Sequence, residues 1–146
     1  MIYYKVVRKF YDGKYYSATA HPYYRLRYGI NLVTKPKIKG SKLLVFDNKK
    51  SAIEFALSMN KVSLKYVFMC EVTNPQPCPI ISMAYASSIY NFWKTRMYEK
   101  VNEMLQQGKT VVDIYNECES IELPLCIAPN NTIACDSVML LRKVKI

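Results

Sequence analysis

The chain has 146 residues, an apolar share of 51% and a formal net charge of +10. That length supports one domain with its own core, and that composition excludes a disordered chain. Residues 1–70 hold 14 Lys/Arg against Asp12, Asp47 and Glu54, a net +11, whereas residues 71–146 hold seven against eight, a net −1.

"IYYKVVRKF" (2–10) is rich in β-branched and aromatic residues and reads as a strand. Asp12-Gly13 then reads as a type I′ hairpin pair, because both central positions need positive φ. "KYYSATA" returns as the second strand. His21-Pro22 interrupts it, since proline cannot donate to a ladder. "YYRLRY" (23–28) resumes extended, with Tyr24, Leu26 and Tyr28 facing the core and Tyr23, Arg25 and Arg27 facing outward. "TKPKIKGSK" (34–42) is a basic loop carrying Lys35, Lys37, Lys39 and Lys42.

"LLVF" (43–46) is a continuously apolar strand, expected to be buried on both faces. Asp47 or Ser51 is expected to cap the helix "NKKSAIEFALSMN". "KYVFMCEV" (65–72) is the next strand, giving a unit similar to βαβ, and "TNPQPCP" is a loop. "SSIYNFWKTRMYEKVNEMLQQGK" reads as one long helix capped by Ser87 or Ser88 and ended by Gly108. "TVVDIYNECE" reads as a short helix or a strand, "PNNT" (129–132) as a turn, and "SVMLLRKVKI" as a closing strand. The sum is one α+β domain over 1–146: a mostly antiparallel, twisted sheet of five or six strands with two main helices. Ile53, Phe55, Ala56, Phe92, Trp93, Met97 and Val101 are expected to pack on Leu44, Phe46, Val67 and Leu140.

Several function classes find no support in these residues. "MIYYKVVRKF" is too interrupted by charge for a signal h-region, and no stretch approaches the roughly 20 apolar residues of a membrane span. Five cysteines without a C-x-x-C pair, plus the single His21, argue against structural zinc and for reduced thiols. Gly13, Gly29, Gly40 and Gly108 are too scattered for a phosphate-binding loop. No metal or cofactor is expected, and no residue stands out as catalytic.

Basic–aromatic interleaving is the positive signal. Arginine pairs bidentately with phosphate, and tyrosine stacks on bases at ~1–3 kcal/mol per base. The anion-binding or nucleic-acid-binding candidates are therefore Tyr23, Arg25, Arg27, Lys35, Lys37, Lys39 and Lys42, and the expected partner is nucleic acid or an acidic protein surface.

A second pattern is enzymatic. "ECESIE" (Glu117, Glu119, Glu122) contains an E-x-E pair, which on a strand places both carboxylates on one face. With Arg8 and "Ser17-Ala18-Thr19" it resembles the motif set of ADP-ribosyltransferases. Ser17 follows Arg8 within a single hairpin, a shorter spacing than that family's pattern. The resemblance implies a nucleotide-using enzyme centred on Arg8, Ser17 and one of those acids.

The blocks "YYKVVRKFYDGKYYSA", "LLVFDNKKSAIEFA", "YVFMCEVTNP" and "CDSVMLLRKVKI" also resemble a loosely defined group of small proteins of bacteriophages and large DNA viruses. That resemblance implies a compact α+β domain in a host cytoplasm or nucleus, acting non-catalytically on host machinery. The expected partner is host nucleic acid, a nucleotide-bearing factor, or a nucleic-acid-binding protein that the chain inhibits. No catalytic residue is carried over with it.

Overall fold

A computed structural model describes residues 1–18, 24–59, 64–82, 86–119 and 125–146, without the side chains of residues 64, 86–88 and 119. Strand β1 (Tyr3–Lys9) is its organising element. One edge of β1 pairs along its full length with β6 (Leu64–Thr73), from Tyr3–Cys70 to Lys9–Leu64. The other edge is divided. Its first half meets β5 (Leu43–Phe46) at Tyr4–Phe46, and its second half meets β2 (Tyr15–Ser17) from Val7 to Lys9.

The sheet therefore forks. One arm runs from β2 to β3 (Arg27–Tyr28), and the other from β5 through β10 (Thr132–Cys135) to β7 (Gln76–Pro77). Beyond β6 lie β11 (Ser137–Val144) and the short β4 (Val33–Thr34). Every ladder is antiparallel, and Ile30–Leu140 is an isolated parallel bridge. Thr34 Oγ1 donates to Arg27 O at 3.4 Å, so the sheet curls far enough to bring its two ends together without closing. A two-stranded sheet of β8 (Ile80–Ile81) and β9 (Cys126–Ile127) lies apart.

This is the α+β class the sequence predicts, with more strands than five or six. The difference comes from two-residue strands such as β3, β4 and β7, whose pairing is set by distant partners rather than local propensity. β7 shows the mechanism. Pro77 lacks an N–H and sits in the outermost strand of its arm, where a missing donor is tolerated. β5 and β6 flank β1 and are both antiparallel to it, so they run parallel to each other and the helix between them crosses over β1.

That helix, α1 (Lys49–Ser58), is capped by Asn48, whose side chain accepts from Ser51 N at 3.1 Å. The cap is thus neither Asp47 nor Ser51, since Asn48 occupies the extended residue one step before the helix. The expected single long helix is two, α2 (Ala86–Lys94) and α3 (Met97–Gln106). Arg96 between them is left-handed at φ +60°, and Thr95 Oγ1 turns back onto Asn91 O at 2.6 Å. Ser87 and Ser88 lie inside α2 rather than ahead of it. "TVVDIYNECE" forms the helix α4 (Val111–Glu119), with Thr110 Oγ1 accepting from Asp113 N.

The hairpin also departs from the expected turn. Gly13 has φ +79° while Asp12 does not have positive φ, so the loop is the three residues Tyr11–Gly13 and not a two-residue type I′ turn. Phe10 and Lys14 close it through Phe10 N to Lys14 O at 3.1 Å, and Asp12 Oδ1 accepts from Lys14 N at 2.9 Å.

The expected single core is three. Val7, Tyr28, Phe68, Val138 and Leu140 fill the inside of the curl. Val6, Phe46, Ala52, Ala56 and Val67 lie under α1. Phe92, Met97, Val101, Ile114 and Cys118 join the three other helices, with Leu44 reaching in from β5. Leu140 consequently lies on the opposite sheet face from α1. β5 supplies all three cores, which is why its four residues read as continuously apolar.

The cap makes a direct test. Asn48→Ala should cost about 1 kcal/mol in urea unfolding, whereas Asp47→Ala should stay within about 0.5 kcal/mol. Equal losses at the two positions would remove Asn48 from the capping role.

Candidate functional site

Register sets the first cluster. Lys65 lies opposite Arg8, Arg8 opposite Tyr16, and Tyr16 opposite Arg27, giving one row across β6, β1, β2 and β3 on a single sheet face. It follows the Val6–Val67 row, which α1 covers. Phe10 and Arg25 complete the patch. The Phe10 ring carries Arg8 at 4.9 Å and Arg25 at 4.4 Å, lies tilted against Tyr16 at 4.8 Å, and thereby holds two like charges side by side.

Electrostatics at this row oppose folding. Like charges directly opposite in a ladder repel, and Arg8–Lys65 is such a pair. Partial burial and the neighbouring Arg25 push the Arg8 guanidinium below its ordinary value, and burial and Arg8 do the same to Lys65. Arg8 Nε is buried without a hydrogen-bond partner, a condition that costs on the order of 1–3 kcal/mol. The adjacent carboxylate, Asp12, is taken up by the turn, accepting from Lys14 N and from Tyr16 Oη at 2.7 Å. Those two hydrogen bonds hold its carboxyl below the usual range, and the charges of Lys14 and Arg27 add to the effect.

The residues expected from sequence divide among several settings. Arg27 is exposed within the row. Arg25 is half-buried against Phe10 and Tyr16, outside any strand, because only Arg27–Tyr28 of "YYRLRY" pair. Tyr28 is buried, but Tyr24, Arg25 and Leu26 are all half-buried, so the expected alternation of faces shows only at Arg27–Tyr28. Lys35 is exposed on the loop after β4. Lys37 and Lys39 line a shallow groove with Tyr24, Ile38, Tyr90 and Lys94. Lys42 is bound to Asp136 and contributes little free charge. Tyr23 lies outside the described residues, as do His21, Thr19 and Glu122. Sequence reasoning missed Arg8 and Lys65 as members of the row, and Tyr90 and Lys94 beside the loop.

A third feature lies at the fork. Where β5 and β2 part from β1, a cavity of about 170 Å³ opens between the sheet, α2 and the loop after β4. Lys5, 8% exposed, reaches into it from the inner face of β1. Its Nζ donates to Leu44 O at 2.7 Å and lies 5.0 Å from the Tyr28 ring centre. Among the described residues no carboxylate lies within 4.0 Å of it.

Of the enzymatic motif set, Arg8, Ser17 and Glu117 are described with their side chains, on β1, β2 and α4. Glu117 is on α4, paired with Lys109 at 2.9 Å, so this segment is a helix and not the strand that the E-x-E reading requires. Ser17 Oγ accepts from Leu26 N at 3.0 Å, serving the β2–β3 connection. Cys70, Cys78 and Cys135 are buried, with thiols pushed up to about 12, about 12 and about 11, far from nucleophilic thiolates at neutral pH. No described helix is long and apolar enough to cross a membrane. Comparison with family models, curated proteins and solved structures finds no match to this chain.

The Lys42–Asp136 pair predicts a pH dependence. Lys42 and Asn74 together hold the Asp136 carboxyl below its ordinary value of 3.8. A folded value below the unfolded one contributes stability that is complete above about pH 4 and is lost as pH falls through the folded value. Asp136→Asn should therefore lower the urea midpoint at pH 7 and shrink the difference from wild type near pH 3. A difference that stays constant between the two pH values would refute this assignment.

Proposed function

We propose that this chain is a non-catalytic binding protein for single-stranded nucleic acid, engaged through the hairpin face. The observation that carries the reading is the row Lys65–Arg8–Tyr16–Arg27, with Arg25 stacked beside it. Folding holds Arg8 beside Arg25 and opposite Lys65, like charges that repel, and a phosphate placed near them relieves that repulsion. Tyr16 within the row and the exposed Tyr11 at the hairpin tip offer rings for base stacking.

A flat sheet face with interleaved cations and tyrosines suits splayed bases better than a duplex groove. Lys37, Lys39 and Lys94 extend the positive surface on the far side of Tyr24. On the resemblance to small viral proteins, the nucleic acid belongs to the host or to the virus acting on host machinery.

Fluorescence anisotropy with a labelled dodecathymidylate tests this across a salt series. Binding should weaken with salt, with a log–log slope of about −2 for three neutralised phosphates. Arg27→Ala should reduce that slope by about 0.7, whereas Lys42→Met should leave it unchanged. Absence of binding at about 20 mM salt would sink the proposal, because counterion release is strongest there. So would an unchanged slope in Arg27→Ala.

A further inference from the structure

We propose that the cavity at the fork of the sheet binds a small carboxylate with an apolar body, and that Lys5 holds its charged end. This site is separate from the hairpin face and does not rest on the nucleic-acid reading.

Lys5 is the reason. An ammonium carries three donors, and a single carbonyl, Leu44 O, accepts one of them. The Tyr28 face offers a weak second partner. Its charge is also felt at the buried Cys70 and Cys135, neither of which is an anion at neutral pH. A buried cation is ordinarily paired or replaced by an apolar side chain, and Lys5 is neither among the described residues. It lines an open space instead of a packed core.

The cavity walls narrow the ligand class. Ser41 Oγ donates to Ile38 O at 2.6 Å, Thr132 Oγ1 donates to Pro129 O at 2.6 Å, and Ser17 Oγ is engaged by Leu26. Those hydroxyls serve the backbone, whereas Lys5 keeps donors beyond its bond to Leu44 O. Much of the remaining wall is apolar: Phe46, Phe55, Leu26, Ile38 and Trp93 all contribute. A cavity of about 150 Å³ accommodates benzene, so the space at the fork fits a body of about one aromatic ring.

One buried ammonium matches one negative charge. At the depth of Lys5 a dianionic phosphate would bring a second charge among largely apolar walls, whereas a monocarboxylate matches the ammonium one to one. Lys37 at the rim adds positive potential along the approach.

Benzoate is the probe, with benzyl alcohol as its uncharged counterpart. Trp93 is the single tryptophan and lines the cavity, so its emission reports occupancy directly. The proposal expects saturable change in Trp93 emission and a raised Tm with benzoate, and roughly tenfold weaker binding of benzyl alcohol. Lys5→Met keeps the stem of the side chain and should abolish the preference between the two probes. If that variant does not fold, Ile38→Phe at the cavity wall takes its place and should weaken benzoate while wild type retains the preference. Equal binding of both probes to wild type would overturn the proposal. No saturable change at tens of millimolar benzoate, or a preference surviving in Lys5→Met, would do so as well.

Discussion

The divided edge of β1 is the constraint on which the rest of the molecule depends. A strand offers one row of donors and acceptors on each side, and here the second row serves two ribbons that then diverge. Tyr4–Phe46 anchors one ribbon and Val7–Lys9 the other, so Lys5 and Val6 lie where neither ribbon pairs. Three consequences follow from that parting. The β2–β3 arm curls toward β4, the β5–β10 arm carries the sheet toward α2, α3 and α4, and the space between becomes a cavity. Lys5 bonds across the gap to Leu44 O, a side-chain link where a ladder is absent.

The hairpin face shows a different balance. Its cations oppose one another, yet Arg8 and Arg25 are tied to the sheet by an aromatic ring. Phe10 holds both Arg8 and Arg25, and hydrophobic rows on the same face continue into the core beneath α1. Against that repulsion, burying Val6, Val67 and their neighbours on the same face contributes about 1.5–3 kcal/mol per large side chain. The protein thus tolerates a local electrostatic cost at Arg8, Arg25 and Lys65. Arginine suits that setting because its planar group stacks on a ring while still offering donors at its edge.

Much of this fold was legible in the sequence, and the reasons differ by element. β5, β6 and β11 show because continuous or alternating apolar character records the layers on either side of a strand. The break at Arg96 was not legible, since no glycine or proline marks it and the apolar stripe of Phe92, Trp93, Met97 and Val101 runs straight across. Asn48 was overlooked because three polar residues compete for one cap and only backbone conformation separates them. The candidate site was half legible. Arg25 and Arg27 stood out through local alternation, but the row through Arg8 and Lys65 exists only once the hairpin turn and the β1–β6 pairing set the register. Composition overstated Lys42, whose charge is met by Asp136 from 94 residues away.

The fork also determines where the chain tolerates insertion and deletion. Adding residues to the hairpin loop at Tyr11–Gly13 changes the β2–β3 arm and leaves β5, β10 and β7 in place. Adding one residue inside β1 has the opposite reach, because a single step exchanges its two faces. Lys5 would move from the inside of the curl to the surface beneath α1, and Arg8 would turn inward among Val7's neighbours. Length variation in related chains should therefore collect in the arms and spare the seven residues from which both arms spring.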